Sequence, residues 1–334
     1  MKRSLSVLIL SVLGAVLLTA CGTTTTTTEK ASGGAITIRL AEVQPGDYPT
    51  TDGDKKFAEI VKQKTNGRIN VEVYPGGVLG DENSVVSQVQ SGGTVDMTRV
   101  SSAALASFNP QMGLFALPYL FKDVNHEWAF LNSTKGQQLL KDLQSSNMMG
   151  LAYYESGARS FYSIKPLTKL ADLKGQKIRV QQSAITLDMV TALGANPIVM
   201  PYGDVYGALQ TGTIDSAENN APSFDSASHY TVAKYYLLDG HQRVPEVLLI
   251  SLAMWNKLSP EDQKILQEAA TASVATERES WDAYDKKSMD KIKASGVTIT
   301  TIDNVAEWQA AVKPVFDKDG AKFKDLVDYI QTLQ

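Results

Sequence analysis

Residues 69–97 read INVEVYPGGVLGDENSVVSQVQSGGTVDM. Ile69, Val71 and Val73 alternate with other side chains, the period of a strand with one buried face, and Pro75-Gly76-Gly77 ends the run. Asp81 is placed to cap a helix, Val85, Val86 and Val89 fall on one helical face, and Gly92 is placed to close it. Val95-Asp96-Met97 then starts another strand. A strand, a helix and a strand in so short a stretch predict an α/β architecture.

The same grammar extends both ways. Upstream, Ile36, Ile38 and Leu40 alternate with Thr37, Arg39 and Ala41, and Phe57, Ile60, Val61 and Lys64 follow at helical spacing. Downstream, Ile178 and Val180 read as a strand after a turn at Lys174-Gly175. Leu187, Val190 and Leu193 form a helical face stopping at Gly194; Val205, Ala208 and Leu209 form another stopping at Gly212. Gln90-Ser91-Gly92 before Val95-Asp96 resembles Gln210-Thr211-Gly212 before Ile214-Asp215, which suggests two similarly built domains. Ser259-Pro260-Glu261-Asp262 combines an N-cap, a first-turn proline and an acid in the first turn. The helical pattern runs on to about Ser295, roughly 55 Å at about 1.5 Å per residue. A helix of that length spans two domains or forms a coiled coil, and no sustained apolar heptad supports the coiled coil.

The N-terminus reads separately. Met1-Lys2-Arg3 and the apolar run Leu5 to Leu18 have the pattern of a secretory signal over 1–20, and the run is shorter than the ~20 residues of a spanning helix. Leu18-Thr19-Ala20-Cys21 looks like a bacterial lipobox, with Cys21 as the lipidation site. Residues 21–35, with a threonine run at 23–28, read as a flexible tether. Cys21 is the only cysteine, so the rest of the chain offers no thiol, disulfide or cysteine metal site. The formal charge is −4. No basic cluster points to nucleic acid or an anionic membrane surface.

Few residues suggest catalysis. There is no P-loop, no paired-glycine nucleotide loop and no His-Glu-x-x-His; His126, His229 and His241 are the only histidines. No cofactor, metal site or catalytic residue is expected. The informative positions lie near strand ends, where open α/β domains bind ligands. Arg159 follows Glu155-Ser156-Gly157-Ala158; Arg179 sits between Ile178 and Val180 and faces either a cleft or solvent; Asn219 and Asn220 follow the strand carrying Ile214.

Together these stretches resemble the substrate-binding subunits of TRAP (tripartite ATP-independent periplasmic) transporters, from about Ile36 to the C-terminus. The resemblance rests on Thr65-Asn66-Gly67-Arg68, Tyr74-Pro75-Gly76-Gly77-Val78-Leu79-Gly80, Ala116-Leu117-Pro118-Tyr119-Leu120-Phe121, Lys177-Ile178-Arg179-Val180, and Asp204 through Gly212 with Asp215, Glu218 and Asn219. It implies a two-domain, periplasmic-binding-protein-like α/β fold of type II-like form, with hinge strands and a long helix spanning both domains. Domain I is expected over 36–156 and 245–284, domain II over 157–244 and 285–334. It also implies that Arg179 clamps a ligand carboxylate, with Arg159 near the same group, Asn219 in the second domain and Tyr202 against the ligand. Pro201-Tyr202 departs from the commoner small residue and phenylalanine. A planar guanidinium matches both carboxylate oxygens and stays charged in a dry cleft.

The loop from Glu42 through Gln44 and Tyr48 to Thr50 adds polar groups, Arg99 and Ser101 lie at a second strand end, and Asn220 adds an amide. Tyr48-Pro49-Thr50 and Asp96-Met97-Thr98-Arg99 look like family members that bind sugar acids such as hexuronates. A C4-dicarboxylate, with Arg99 or Arg159 taking the second carboxylate, is the alternative ligand. The expected partners are a small organic acid, the TRAP membrane subunits and the membrane through the lipid anchor. The expected location is extracytoplasmic. A ligand-sensing subunit and an exported sugar-acid enzyme are the alternative roles.

Overall fold

The structure is a computed structural model that describes residues 34–333. The leader, Cys21 and most of the tether lie outside the described residues. Two mixed sheets organise the chain. The first has strand order β2-β1-β3-β10-β4, from β1 (Ile36–Ala41), β2 (Ile69–Tyr74), β3 (Met97–Ser101), β4 (Met148–Tyr154) and β10 (Glu246–Ser251). The second has order β11-β9-β5-β8-β6-β7, from β5 (Ala158–Ser163), β6 (Lys177–Val180), β7 (Asn196–Val199), β8 (Ser216–Asn219), β9 (Tyr235–Arg243) and β11 (Thr298–Thr301). β1 pairs in parallel with β2 and β3, and β6 with β7 and β8; β10 runs antiparallel to β3 and β4, and β5 to β8 and β9.

The local signals work as their chemistry requires. Asp81 caps the helix Glu82–Ser91 by accepting from the amides of Asn83 and Ser84, and Gly92 ends it in the left-handed conformation. Val85, Val86 and Val89 are buried. Three expectations shift. Pro49 opens a helix, Pro49–Lys64, because a proline is preorganised for the first turn; the polar loop after β1 is therefore shorter than its composition suggests. β3 begins at Met97 rather than Val95, and β8 at Ser216, two residues beyond Ile214.

The chain crosses between sheets at 155–157 and 244–245, and the helix Pro260–Ala294 crosses a third time. Leu266, Ala269 and Ala270 of that helix join Phe57, Val61, Leu40 and Ile250 against the first sheet; Ile292 joins Tyr162, Phe224 and Tyr236 against the second. A larger core holds Val86, Phe115 and Val247 beside Ile178, Val190 and Trp308, so the helix Val305–Lys318 packs into apolar surface shared by both halves.

Gly157, in the first crossing, has φ +60°, and a Cβ there would sit 3.0 Å from Trp281 Cζ2 of the long helix. Left-handed strain at a non-glycine costs about 1–3 kcal/mol. Gly157→Ala is expected to lower stability by about that amount; an unchanged urea midpoint would show that the crossing tolerates the strain.

Candidate functional site

The C-terminal ends of β1 and β3 face those of β6 and β8, the place where α/β sheets leave a crevice. A tight inner chamber, with free space of only about 20 Å³, is lined from the first half by Val43, Gln44, Tyr48, Thr50, Glu82, Arg99 and Glu246, and from the second by Arg159, Arg179, Gln181, Tyr202 and Asn219. An outer groove of about 710 Å³ shares Val43, Glu82, Arg179, Gln181 and Tyr202 with it. Hydrogen bonds close the rim. Tyr48 Oη meets Ser223 Oγ at 2.8 Å, Asn83 Nδ2 donates to Gln182 Oε1 at 2.8 Å, and Ser107 Oγ donates to the Gln182 carbonyl at 3.1 Å.

Three arginines line the chamber, in different electrostatic states. Arg99 is buried with Nε donating to Glu42 Oε2 at 2.7 Å, and its terminal nitrogens pair with Glu42 and Glu246. Burial works against its charge, but Glu246 and Glu42 hold it well above its ordinary range. Arg159 forks onto Glu218 and donates to Asn219 Oδ1 at 3.0 Å. Arg179 differs. Its Nε donates to the Met200 carbonyl at 2.9 Å, and its guanidinium lies 5.8 Å from the Tyr202 ring centroid. Among the described residues it has no carboxylate partner, although it is only 3 % exposed. Burial accordingly lowers its pKa. A buried cation facing a polar chamber without a counter-ion is a receptor for an anion.

The other candidates divide by what already occupies them. Glu42 is taken by Arg99 and accepts from Gln44 N and Thr50 Oγ1. Asn220 caps the helix Ala221–Ser226 and donates to the Ser156 carbonyl, so its side chain ties the halves together. Ser101 Oγ donates to Gln181 Oε1 at 3.3 Å. Asn219 uses its oxygen on Arg159 and the Asn220 amide. Tyr202 donates to the Ser223 carbonyl. Gln44 and Tyr48 line the chamber wall.

Glu82, Gln181 and Glu246 were missed by the sequence reading. Gln181 carries a readable signal, because it directly follows β6 and, two residues from Arg179, points to the same face. Glu82 directly follows the cap Asp81, where the loop after β2 enters its helix. Nothing local marks Glu246, whose partner Arg99 is remote in the chain.

Behind Arg159, Glu218 also lies 3.5 Å from His241 Nε2, and His241 Nδ1 lies 2.9 Å from Asp239. Burial opposes charge on both groups, yet Arg159 and His241 draw Glu218 down to about 2, while Asp239 and Glu218 raise His241 to about 9. The His241 contribution to stability is complete below about pH 6.5 and is lost as pH rises through 9; that of Glu218 is complete above about 4.5 and is lost as pH falls through 2. Glu246, raised to about 7 by burial despite Arg99, adds a loss between about 4.5 and 7. Denaturant unfolding is expected to show greater stability at pH 5.5 than at pH 9.5, by on the order of 3 kcal/mol. A flat profile would contradict a charged His241.

Two lobes closing on a polar chamber with one unneutralised cation define a binding protein for small acids. The model of bacterial extracellular solute-binding protein family 7 (DctP) matches residues 40–322, and the chain belongs to that family, as a TRAP transporter solute-binding protein. It is 43% identical to a TRAP periplasmic solute-binding protein from Xanthobacter autotrophicus, solved with bound β-D-galacturonate, over 89% of this chain and 100% of that one, with TM-score 0.86. A relative from Pseudomonas putida, solved with bound D-glucuronate, is 38% identical over 90% and 98% of the two chains, with TM-score 0.87. The 2,3-diketo-L-gulonate-binding periplasmic protein of Escherichia coli is 33% identical over 84% of this chain and 87% of its own. Among the described residues no helix is long and apolar enough to cross a membrane.

Proposed function

We propose that this protein captures a hexuronate, D-galacturonate or D-glucuronate, in the cleft and presents it to TRAP membrane subunits. The observation that carries the reading is Arg179, a buried guanidinium that lines the chamber and forms no ion pair with a carboxylate among the described residues. The ligand carboxylate takes that place. Tyr202 packs beside the pair, and Arg159, itself held by Glu218, positions Asn219 at the same wall. Relatives solved with galacturonate and glucuronate support the choice of acid.

Binding works by closure. Domain I (36–156 and 245–284) and domain II (157–244 and 285–334) pivot about 155–157 and 244–245. The ligand touches both, so it stabilises the closed arrangement over the open one. Nothing in this cycle requires turnover; the ligand leaves as it arrived. The lipobox-like sequence ending in Cys21 supports a diacylglycerol anchor, with residues 21–35 as the tether that gives the cleft its reach from the membrane.

Calorimetry with D-galacturonate, D-glucuronate, D-galactose and succinate tests the ligand. Both uronates are expected to bind one to one, and galactose, which keeps the ring and lacks the carboxylate, to fail at the same concentrations. Equal affinity for galactose, or binding of succinate alone, would overturn the hexuronate reading.

A further inference from the structure

The chamber also holds a carboxylate that makes no ion pair among the described residues. Of its lining cations, Arg99 is held between two carboxylates, Glu42 and Glu246, and Arg159 is paired with Glu218. That leaves Arg179 on one wall and Glu82 on the other, neither in an ion pair among the described residues. Glu82 stands at the start of the helix Glu82–Ser91; its Oε1 accepts from the Ser101 amide at 3.2 Å and its Oε2 from Gln181 Nε2 at 3.3 Å. These bonds fix the carboxylate at the junction of chamber and groove, where it lines both.

We propose that Glu82 determines specificity by accepting ligand hydroxyls opposite Arg179 and repelling a second carboxylate, which makes the site selective for hydroxylated monocarboxylates over dicarboxylates. The inference rests on the hexuronate reading and adds to it. An ionised carboxylate accepts hydrogen bonds and donates none. Opposite Arg179 it therefore matches a ligand with an acid at one end and hydroxyls at the other. A dianion carries its second charge toward Glu82, and Arg99 on the same wall already faces two carboxylates, Glu42 and Glu246, so it does not compensate that charge.

Galactarate, the achiral diacid, is the direct probe. It differs from open-chain galacturonate by a carboxylate in place of the aldehyde. By calorimetry at pH 7.5, wild-type protein is expected to bind galacturonate about a hundredfold more tightly than galactarate. Glu82→Gln keeps the size of the side chain and removes the charge. It is expected to weaken galacturonate about tenfold, as loss of a charged acceptor does, and to strengthen galactarate, so the ratio collapses. Glu82→Asp keeps the charge and is expected to go on rejecting galactarate, which separates charge from fold; melting curves of both variants without ligand check that they are folded. A wild-type protein that takes both acids equally, or a ratio unchanged in Glu82→Gln, overturns the role of Glu82 and leaves the hexuronate reading intact. Failure of the wild type to bind any uronate removes both.

Discussion

Arg179→Ala is expected to abolish useful uronate binding. Removing one partner of a buried ion pair costs about 3–5 kcal/mol, which is about 2 to 3.5 decades in Kd. Arg179→Lys is expected to fail as well. An ammonium keeps the charge, but it cannot present two parallel N–H groups to a carboxylate while a third holds the Met200 carbonyl. The same residue has an opposite effect on the ligand-free protein. Burial disfavours its charge; Glu218 and Glu82 offset part of that cost from a distance, but among the described residues no carboxylate pairs with it. Arg179→Met, close in volume and apolar, is expected to melt at or above the wild-type temperature without ligand and to show no shift with galacturonate. Site and stability are therefore opposed here, as they are where a protein holds a charge ready for a partner. Near-wild-type affinity of Arg179→Lys by calorimetry would contradict the clamp.

Glu218→Ala is expected to cause the largest loss of stability. Glu218 is fully buried between Arg159 and His241, and the first of these contacts is a fork that uses both carboxylate oxygens. Without it two cations face each other in the second sheet, with Asp239 alone beside His241. Breaking a buried pair in this way costs about 3–5 kcal/mol, roughly a 10 °C fall in melting temperature at about 2–4 °C per kcal/mol. Arg159 positions Asn219 only while it is itself held, so galacturonate affinity is expected to fall too. A melting temperature within a degree or two of wild type would show that the network contributes little.

These residues also mark how far the sequence could be read. Alternation at 36–41 and 69–74, the cap at Asp81 and the helix start at Ser259 are local signals, and the structure uses each of them. The length of the helical pattern to Ser295 was enough to expect a helix contacting both halves, because no single domain of this size accommodates it. Arginines were harder. Arg99 and Arg179 both lie in strands, and nothing local tells them apart. Arg99 is neutralised by Glu246, remote in sequence, while Arg179 keeps its charge unpaired. That difference is a property of tertiary neighbours. Asn219 and Asn220 show the same limit on a smaller scale: one turns to Arg159, the other caps a helix and ties Tyr48 and Ser156 across the cleft. Only the family resemblance assigned Arg179 and Asn219 to a ligand; spacing alone left each of them between cleft and solvent.

The account depends on where the ligand acid goes. A crystal structure of the protein with D-galacturonate measures it directly. The expected result places the two carboxylate oxygens within hydrogen-bond distance of the Arg179 terminal nitrogens, with the ring hydroxyls toward Glu82 and Gln181. A carboxylate turned toward Glu82 or bulk solvent, with the Arg179 terminal nitrogens unmet, would contradict it.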